Sequence, residues 1–435
     1  MSRISTIFVF DLNRKPTSAN PTDEEIQDAK LLYYYPEHCE VEERRSHFGL
    51  IEGLIGLLST FTSNKIDFLK TKLFTTTISE WCPDVYLVVC FKNEEGSWNE
   101  MAEYSHHWKH LITKVVLENT KKMFELFYGP LSDLMKESED GTSANLEKVR
   151  LAFDNFLPSF LTQTVGDSFN ILKDWNATNK SHTGVVGALD SQNLIVDVCE
   201  EFKEVKGYMF IHNQEVLLSS LDLDNMMILY TFLIKNHGIA HKEPEYRLKN
   251  VDRIESEEVQ ILESDGGTAF GPRVHLNGHE YYLSVMCFES LYLVLLLQTD
   301  DLMLSLSNIK EYLTGMPHGL KALINSLSRT PSTSPLCTVS LNTATKAIRS
   351  IGYDSLDDKK LQELYIIRGI HHLIESNANR LKQIHVRSSA GWVNAQVSNS
   401  REMYLTLQSD RLGLNDVRNT FDEFVKTYLG GIYFI

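Results

Sequence analysis

The run from Val41 to Ser63, VEERRSHFGLIEGLIGLLSTFTS, constrains the fold of this chain more than any other stretch. It reads as one helix of about six turns at 3.6 residues per turn. At steps of about 100° per residue, Phe48, Leu50, Ile51, Leu54, Ile55, Leu57, Leu58 and Phe61 fall on one half of the cylinder. Gly49, Gly53, Gly56, Ser59 and Thr60 fall on the other half, with Glu52 and Arg45 beside them. A surface helix normally backs its apolar stripe with long charged side chains. Here the backing is almost bare backbone. A glycine inside a helix costs about 1 kcal/mol relative to alanine, so three cost roughly 3 kcal/mol. Close approach of another backbone to a smooth helix face offsets such a cost. The helix is therefore expected to be covered twice, by its own sheet under the apolar half and by a second element against the glycines. That element belongs either to this chain or to a partner, and helical geometry alone leaves both open.

Around this helix the chain alternates short strands and helices. Ile4 to Phe10 and Leu31 to Tyr35 read as strands, joined by a polar loop with Pro16 and Pro21. Asp67 to Ile78 and Val85 to Phe91 read as further strands, and Tyr104 to Tyr128 as a long helix stopped by Gly129-Pro130. Leu146 to Leu157 opens another helix, and a domain junction is expected within Thr178 to Glu204. Tyr208 to Leu218 reads as a hairpin, followed by a helix from Asp222 to Asn236 and a long solvated loop from His241 to Gly267. Three strands follow at Val274 to Leu276, Tyr281 to Phe288 and Leu291 to Leu297, the first two joined by a type I′ turn at Asn277-Gly278. Leu302 to Leu327 is mainly helical, and Arg329 to Pro335 is a linker. The end of the chain reads as a strand at Leu364 to Arg368, a helix around His371 to Gln383, strands at Trp392 to Val397 and Glu402 to Gln408, and a helix from Leu414 to Leu429.

These stretches repeat one order: strand, strand, helix, three strands, helix. The expected fold class is α+β, with three domains at 1–178, 200–330 and 350–435. Each is an antiparallel sheet of about five strands sandwiched by helices, with the third abbreviated and short of strands.

Composition removes several function classes. A formal charge of −16 over 435 residues argues against general nucleic-acid binding and against attraction to anionic lipid. The six cysteines form no C-x-x-C pair and suit reduced, buried thiols. The amino-terminal MSRISTIFVF is expected to be a strand rather than a secretory signal, and no run approaches the roughly 18 apolar residues of a transmembrane helix. There is no phosphate-binding glycine loop, dinucleotide fingerprint, G-x-S-x-G elbow or H-E-x-x-H. His106 and His110 sit one helical turn apart with His107 beside them, but no carboxylate or thiol completes a metal site at fixed spacing. His371-His372 and the acidic run Glu255 to Glu263 are read as solvated or hydrogen-bonded groups, and Trp98 as the tryptophan most worth testing as an exposed contact. No catalytic residue, metal or cofactor is expected.

Taken in order, LLYYYPEH (31–38), HFGLIEGLIGLLSTFT (47–62), LDNMMILYTFL (223–233), REMYLTLQ (401–408) and GGIYFI (430–435) resemble the Ccz subunit family, the vacuolar fusion proteins that pair with Mon. The resemblance implies three longin-type domains, matching the repeat read above. It implies an obligate heterodimer with the Mon subunit. That complex is a guanine-nucleotide exchange factor for the Rab-seven-type GTPase and needs no covalent chemistry. It further implies a third, propeller-containing subunit, and recruitment from the cytosol to late endosome, lysosome and autophagosome membranes through the complex. On this reading Gly49, Glu52, Gly53, Gly56 and Thr60 face Mon, and Arg44, Arg45 and His47 lie nearer the Rab. The competing reading is a longin scaffold that joins a tethering complex without promoting exchange.

Overall fold

The computed structural model describes residues 4–92, 117–136, 144–166, 178–236, 260–315, 323–324, 337–376 and 381–429, apart from short gaps within these ranges. His106, His107, His110, Trp98, the 329–335 linker, the terminal GGIYFI and most of the Glu255 to Glu263 run lie outside the described residues.

The first sheet is built from β1 (Ile4–Asp11), β2 (Leu31–Tyr35), β3 (Phe68–Lys70), β4 (Phe74–Cys82) and β5 (Val85–Lys92), in the order β2-β1-β5-β4-β3. Every pairing in it is antiparallel. The central strands are buried on both faces, so β5 is apolar at almost every position and β1 is continuously apolar from Ile7 to Phe10. One face receives a helix at Val41–Ser59, where Phe48 and Ile51 enter a cluster with Phe8, Phe10, Tyr34, Ile78, Tyr86 and Val88. Phe10 and Phe48 meet edge to face at 5.2 Å. The opposite face receives a helix at 117–128 and another at Ala144–Gly166. Trp81 packs there against Phe124 and Phe153 at 5.1 and 5.6 Å, and its indole N–H donates to Glu125 at 3.0 Å.

The stretch expected to be a polar loop between β1 and β2 holds a helix, α1 (Asp23–Lys30). Its eight residues carry no buried face, so apolar periodicity gives no sign of it. The sign is local: Thr22 and Glu25 form a reciprocal capping box, which supplies partners to the amide groups that otherwise oppose a short helix. The glycine-faced helix is then α2 (Val41–Ser59), 117–128 is α3 and Ala144–Gly166 is α4.

The second sheet is built on β6 (Val205–His212), β7 (Glu215–Ser219), β8 (Arg273–Leu276), β9 (His279–Phe288) and β10 (Leu291–Leu297), in the order β8-β9-β10-β6-β7, and Gln260–Ile261, within the stretch read as a solvated loop, adds a short strand against β9. The Asn277-Gly278 turn has the expected positive φ at both residues, 51° and 77°. Helices α5 (Val185–Glu201), α6 (Leu223–Tyr230) and α7 (Leu302–Gly315) accompany this sheet. Asp222 caps α6 by accepting from the Asn225 amide at 3.0 Å, and π-helical turns continue it over Thr231–Asn236.

The third sheet comprises β11 (Cys337–Asn342), β12 (Ala347–Ile351), β13 (Gln383–Ser388), β14 (Gly391–Ser398) and β15 (Arg401–Leu407), in the order β13-β14-β15-β11-β12. Thr178–Asn179 adds a short parallel strand at its edge. Helix α8 (Asp358–Ser376) seats Leu364, Ile367, Ile370 and Ile374 on one face, and α9 (Leu414–Leu429) seats Val417, Phe421 and Phe424 on the other. Two expectations change here. Leu364 to Arg368 is mid-helix rather than a strand, because a short apolar run buried on one side reads alike in either state. The sheet also has its full five antiparallel strands: β11, β12 and β13 are rich in Thr, Ser, Asn, Gln and Arg, and they lack the apolar run that marks a buried strand.

Numbered within each sheet, the strands run 2-1-5-4-3 in all three, with a helix inserted between strands two and three each time. The α+β expectation holds. Packing divides the chain into two compact units, Met1–Asn170 with Val274–His279, and Ile171–Arg273 with Glu280–Ile435.

Candidate functional site

The helix between strands two and three occurs three times, and one copy is unlike the others. In the third sheet α8 buries Glu363, Leu364, Ile367, Ile370, His371 and Ile374. In the second, α6 and its π-helical continuation bury Asn225, Met227, Leu229, Tyr230, Phe232 and Leu233. Helix α2 is 19 residues long, yet only Phe48 and Ile51 are buried, with Ile55 packed beside them.

The rest of its apolar half looks outward. Leu50, Leu57 and Phe61 are 54%, 56% and 79% exposed, and Leu54 between them is half-buried. The sequence places all of these over the sheet; the structure gives the sheet a narrower share. The apolar arc of α2 spans about 180° at 100° per residue. A sheet-facing stripe needs little more than about 100°, so the excess forms a second ridge. Its members stand at i, i+4, i+7 and i+11, the spacing of a helix-to-helix seam.

Gly53 borders this ridge on the helix wheel, whereas Gly49 and Gly56 lie roughly 80–100° from its nearest member, on the side toward α1. A Cβ added at Gly53 or Gly56 meets nothing within 4 Å, whereas one at Gly49 lies 3.8 Å from Gln27 Nε2 of α1. The glycine half is thus shared: α1 of the same chain lies against its first turn, and the remainder is bare. Glu52 belongs with Gly49, because its carboxylate pairs with Lys30 at the end of α1 at 2.5 Å. Thr60 caps the open end, its hydroxyl donating to the Leu57 carbonyl at 2.6 Å.

The three basic residues near the amino end of α2 do not form one patch. Arg44 Nε donates to the Cys39 carbonyl at 2.9 Å and its guanidinium lies over the Tyr34 ring. His47 Nδ1 is 2.6 Å from the Tyr34 hydroxyl, whose pKa burial pushes up. Arg44 and His47 therefore meet around Tyr34. Arg45 turns to α1, bonding both carboxylate oxygens of Asp28 at 2.9 and 2.6 Å and Glu24 at 2.9 Å. The hydrogen bond from Arg45 holds the Asp28 carboxyl below the usual range.

Every one of these holds on α1 is polar, and an isolated eight-residue helix is marginal in water. Arg45→Ala is expected to release α1 while the sheet stays intact. Limited proteolysis should then cut within 23–30 several times faster, with an unchanged far-ultraviolet circular dichroism spectrum.

Other chemistry is sparse among the described residues. No group of three His, Cys, Asp or Glu is arranged to hold a metal ion, and no helix is long and apolar enough to cross a membrane. Burial pushes the Cys82 and Cys90 thiols up to about 11, so neither is a ready nucleophile.

Comparison with known proteins bears on the same region. Residues 5–129 match the family model of the first longin domain of INTU, CCZ1 and HPS4, and this span contains α2. The vacuolar fusion protein CCZ1 homolog of Xenopus tropicalis is 24% identical over 227 residues, covering 50% of this chain and 46% of that protein. The homologs of Danio rerio and Nematostella vectensis are 23% and 22% identical over 227 and 212 residues. The chain thus spans about half the length of the curated relatives it matches, 46% and 45% of these two.

Proposed function

From the premise of a longin chain of Ccz type, we propose that this protein is one subunit of a heterodimeric guanine-nucleotide exchange factor, paired with a Mon subunit through the outward face of α2. The observation that carries the reading is the bare α2. Among the described residues of the three helices in equivalent positions, α2 presents an exposed apolar ridge of Leu50, Leu54, Leu57 and Phe61, with open space beside Gly53 and Gly56. Gly53, Gly56 and Thr60 meet the partner directly. Gly49 and Glu52 act through α1, which they seat. Arg44, Arg45 and His47 fix the amino end of α2 and the strand before it, next to the surface that the Rab-seven-type GTPase shares with the dimer.

Exchange of this kind is binding chemistry. A complex that holds the nucleotide-free GTPase more tightly than the loaded one weakens nucleotide by the same factor. Displacing a switch loop and its Mg²⁺ contacts is sufficient. The complex works from the cytosol on late endosomes, lysosomes and autophagosomes, with a propeller-containing third subunit.

The test is release of fluorescent GDP from the loaded Rab, with and without the purified heterodimer. Release at least about tenfold above the intrinsic rate is expected, equivalent to lowering the barrier to nucleotide release by about 1.4 kcal/mol. An intact heterodimer that leaves release at the intrinsic rate favours the longin scaffold instead.

A further inference from the structure

Strand β13 is the longest outer strand among the described residues of the three sheets. It pairs with β14 through six consecutive residues without a bulge, and no described strand pairs with its other side. The remaining edges are shorter or covered. β3, β8 and β7 have three, four and five residues, and β12 meets Thr178–Asn179. At the β2 edge, Arg150 of α4 donates to the Leu31 carbonyl at 3.3 Å.

The ladder shows which groups β13 turns outward. The Val397 amide of β14 donates to the Lys382 carbonyl at 2.8 Å. Alternate residues of an antiparallel pair exchange both backbone bonds, so Ile384 and Val386 turn theirs toward β14. Gln383 and His385 therefore present N–H and C=O groups at the outer edge. Side chains alternate in step. Ile384 and Val386 are half-buried against the α8 cluster. Gln383, His385 and Arg387 lie on the opposite face, where His385 Nδ1 is 2.8 Å from Asn394 Oδ1.

This edge is also basic in an acidic chain. Ser376 to Arg401 contains no Asp or Glu, whereas 58 acids in 435 residues put one at about every seventh or eighth position. The stretch holds Lys382 and Arg387, both exposed, the Arg387 guanidinium lying over the Trp392 ring. Cations on an outer strand normally guard it against other strands. That guard repels a second positive strand, a second copy of β13 included, and attracts a negative one.

We propose that β13 takes up an acidic extended segment of a partner protein as an added antiparallel strand, at a surface separate from α2. Residues of that segment opposite Gln383 and His385 exchange backbone hydrogen bonds with the edge. Directly opposed side chains share a face, so Asp or Glu in this row meets His385 and Arg387. The alternate row is apolar and extends the line of Ile384 and Val386.

The test uses the full chain and two heptapeptides, one alternating valine with glutamate and the other valine with lysine. Fluorescence anisotropy at low salt should give the glutamate peptide about tenfold tighter binding. In 0.5 M NaCl the preference should fall below about twofold. N-methylation of the glutamate amides should abolish binding, because those N–H groups face β13. N-methylation of the valine amides should change affinity by less than about twofold. Hydrogen exchange at the Gln383 and His385 amides should slow at least about tenfold on binding. Arg387→Glu should remove the preference, and Lys206→Glu, at an exposed cation of the second sheet, should keep it. Equal affinity for the two peptides overturns the proposal. So do equal losses from the two N-methylated peptides, unchanged exchange at 383 and 385, or a preference that survives Arg387→Glu.

Discussion

Gly53→Leu is expected to leave this chain folded and soluble while weakening its binding to the Mon subunit by at least about thirtyfold, the scale of a central interface position. The two halves of the expectation have separate causes. In the free chain a side chain at residue 53 enters open space, with nothing within 4 Å of its Cβ. Replacing glycine inside a helix also removes conformational freedom from the unfolded chain. Gly53→Ala should therefore stabilise the isolated protein by about 0.5–1 kcal/mol. In the complex the same volume separates two helix axes that the bare backbone lets approach. Urea denaturation reads the first effect and isothermal titration with purified Mon the second. Unchanged affinity in Gly53→Leu excludes this face from the heterodimer.

The second large effect lies far along the chain, in the core of the third sheet. His371 of α8 and Glu402 of β15 are both buried and meet Nδ1 to Oε2 at 2.6 Å. Tyr404 donates its hydroxyl to the same carboxylate oxygen at 2.5 Å, and Glu375 stands 3.3 Å from the other ring nitrogen. Arg368 of α8 adds its charge to this group. Burial pulls the His371 pKa down, but the hydrogen bonds with Glu375 and Glu402 outweigh it, and the imidazole titrates above its ordinary 6.5. The sign follows from linkage. A raised folded-state pKa contributes stability that is fully present below the unfolded value of 6.5 and disappears as pH climbs through the raised value. Chemical denaturation followed by the fluorescence of Trp392, on the adjacent strand, should show the third sheet losing stability as pH rises from 6.5. His371→Gln should flatten that dependence. Glu402→Ala removes one member of a buried charged pair and should cost about 3–5 kcal/mol. A pH profile identical in wild type and His371→Gln rules out this pair as the titrating element.

Much of the architecture was legible because the residues that specify it are local and strongly patterned. VYLVVCF and LYLVLLL are continuous apolar runs that only doubly covered strands require, and Asn277-Gly278 names its own turn. The failures cluster where burial is shared or absent. Helix α1 exposes every side chain to some degree, so only the Thr22/Glu25 pair announced it. Strands β11 to β13 mix polar with apolar residues and show no continuous apolar run, and β11 is placed in the sheet by a distant partner, Cys337 pairing with Thr406 of β15. At the candidate site the glycine face was visible in the sequence, but the ridge beside it was assigned to the wrong surface. Counting apolar residues says how many are buried somewhere, not which neighbour buries them. The arc itself carried the warning: it is wider than one sheet can use. Arg44, Arg45 and His47 lie within four residues of one another, yet they serve two different neighbours, Tyr34 and α1. That division depends on α1, whose presence the periodicity did not reveal.

The strands β1 and β5 have no wet face, and this has a bearing on how the protein can change over time. Replacement at nearly any point along them disturbs a core, whichever way the side chain points. Leu50, Gly53, Leu57 and Phe61 stand under no such restriction in the solitary chain. On the proposed interface, abundance in a cell and membership of an assembly are governed by separate sets of amino acids. A variant library sorted once for steady-state level and once for capture by a partner would pull those two sets apart.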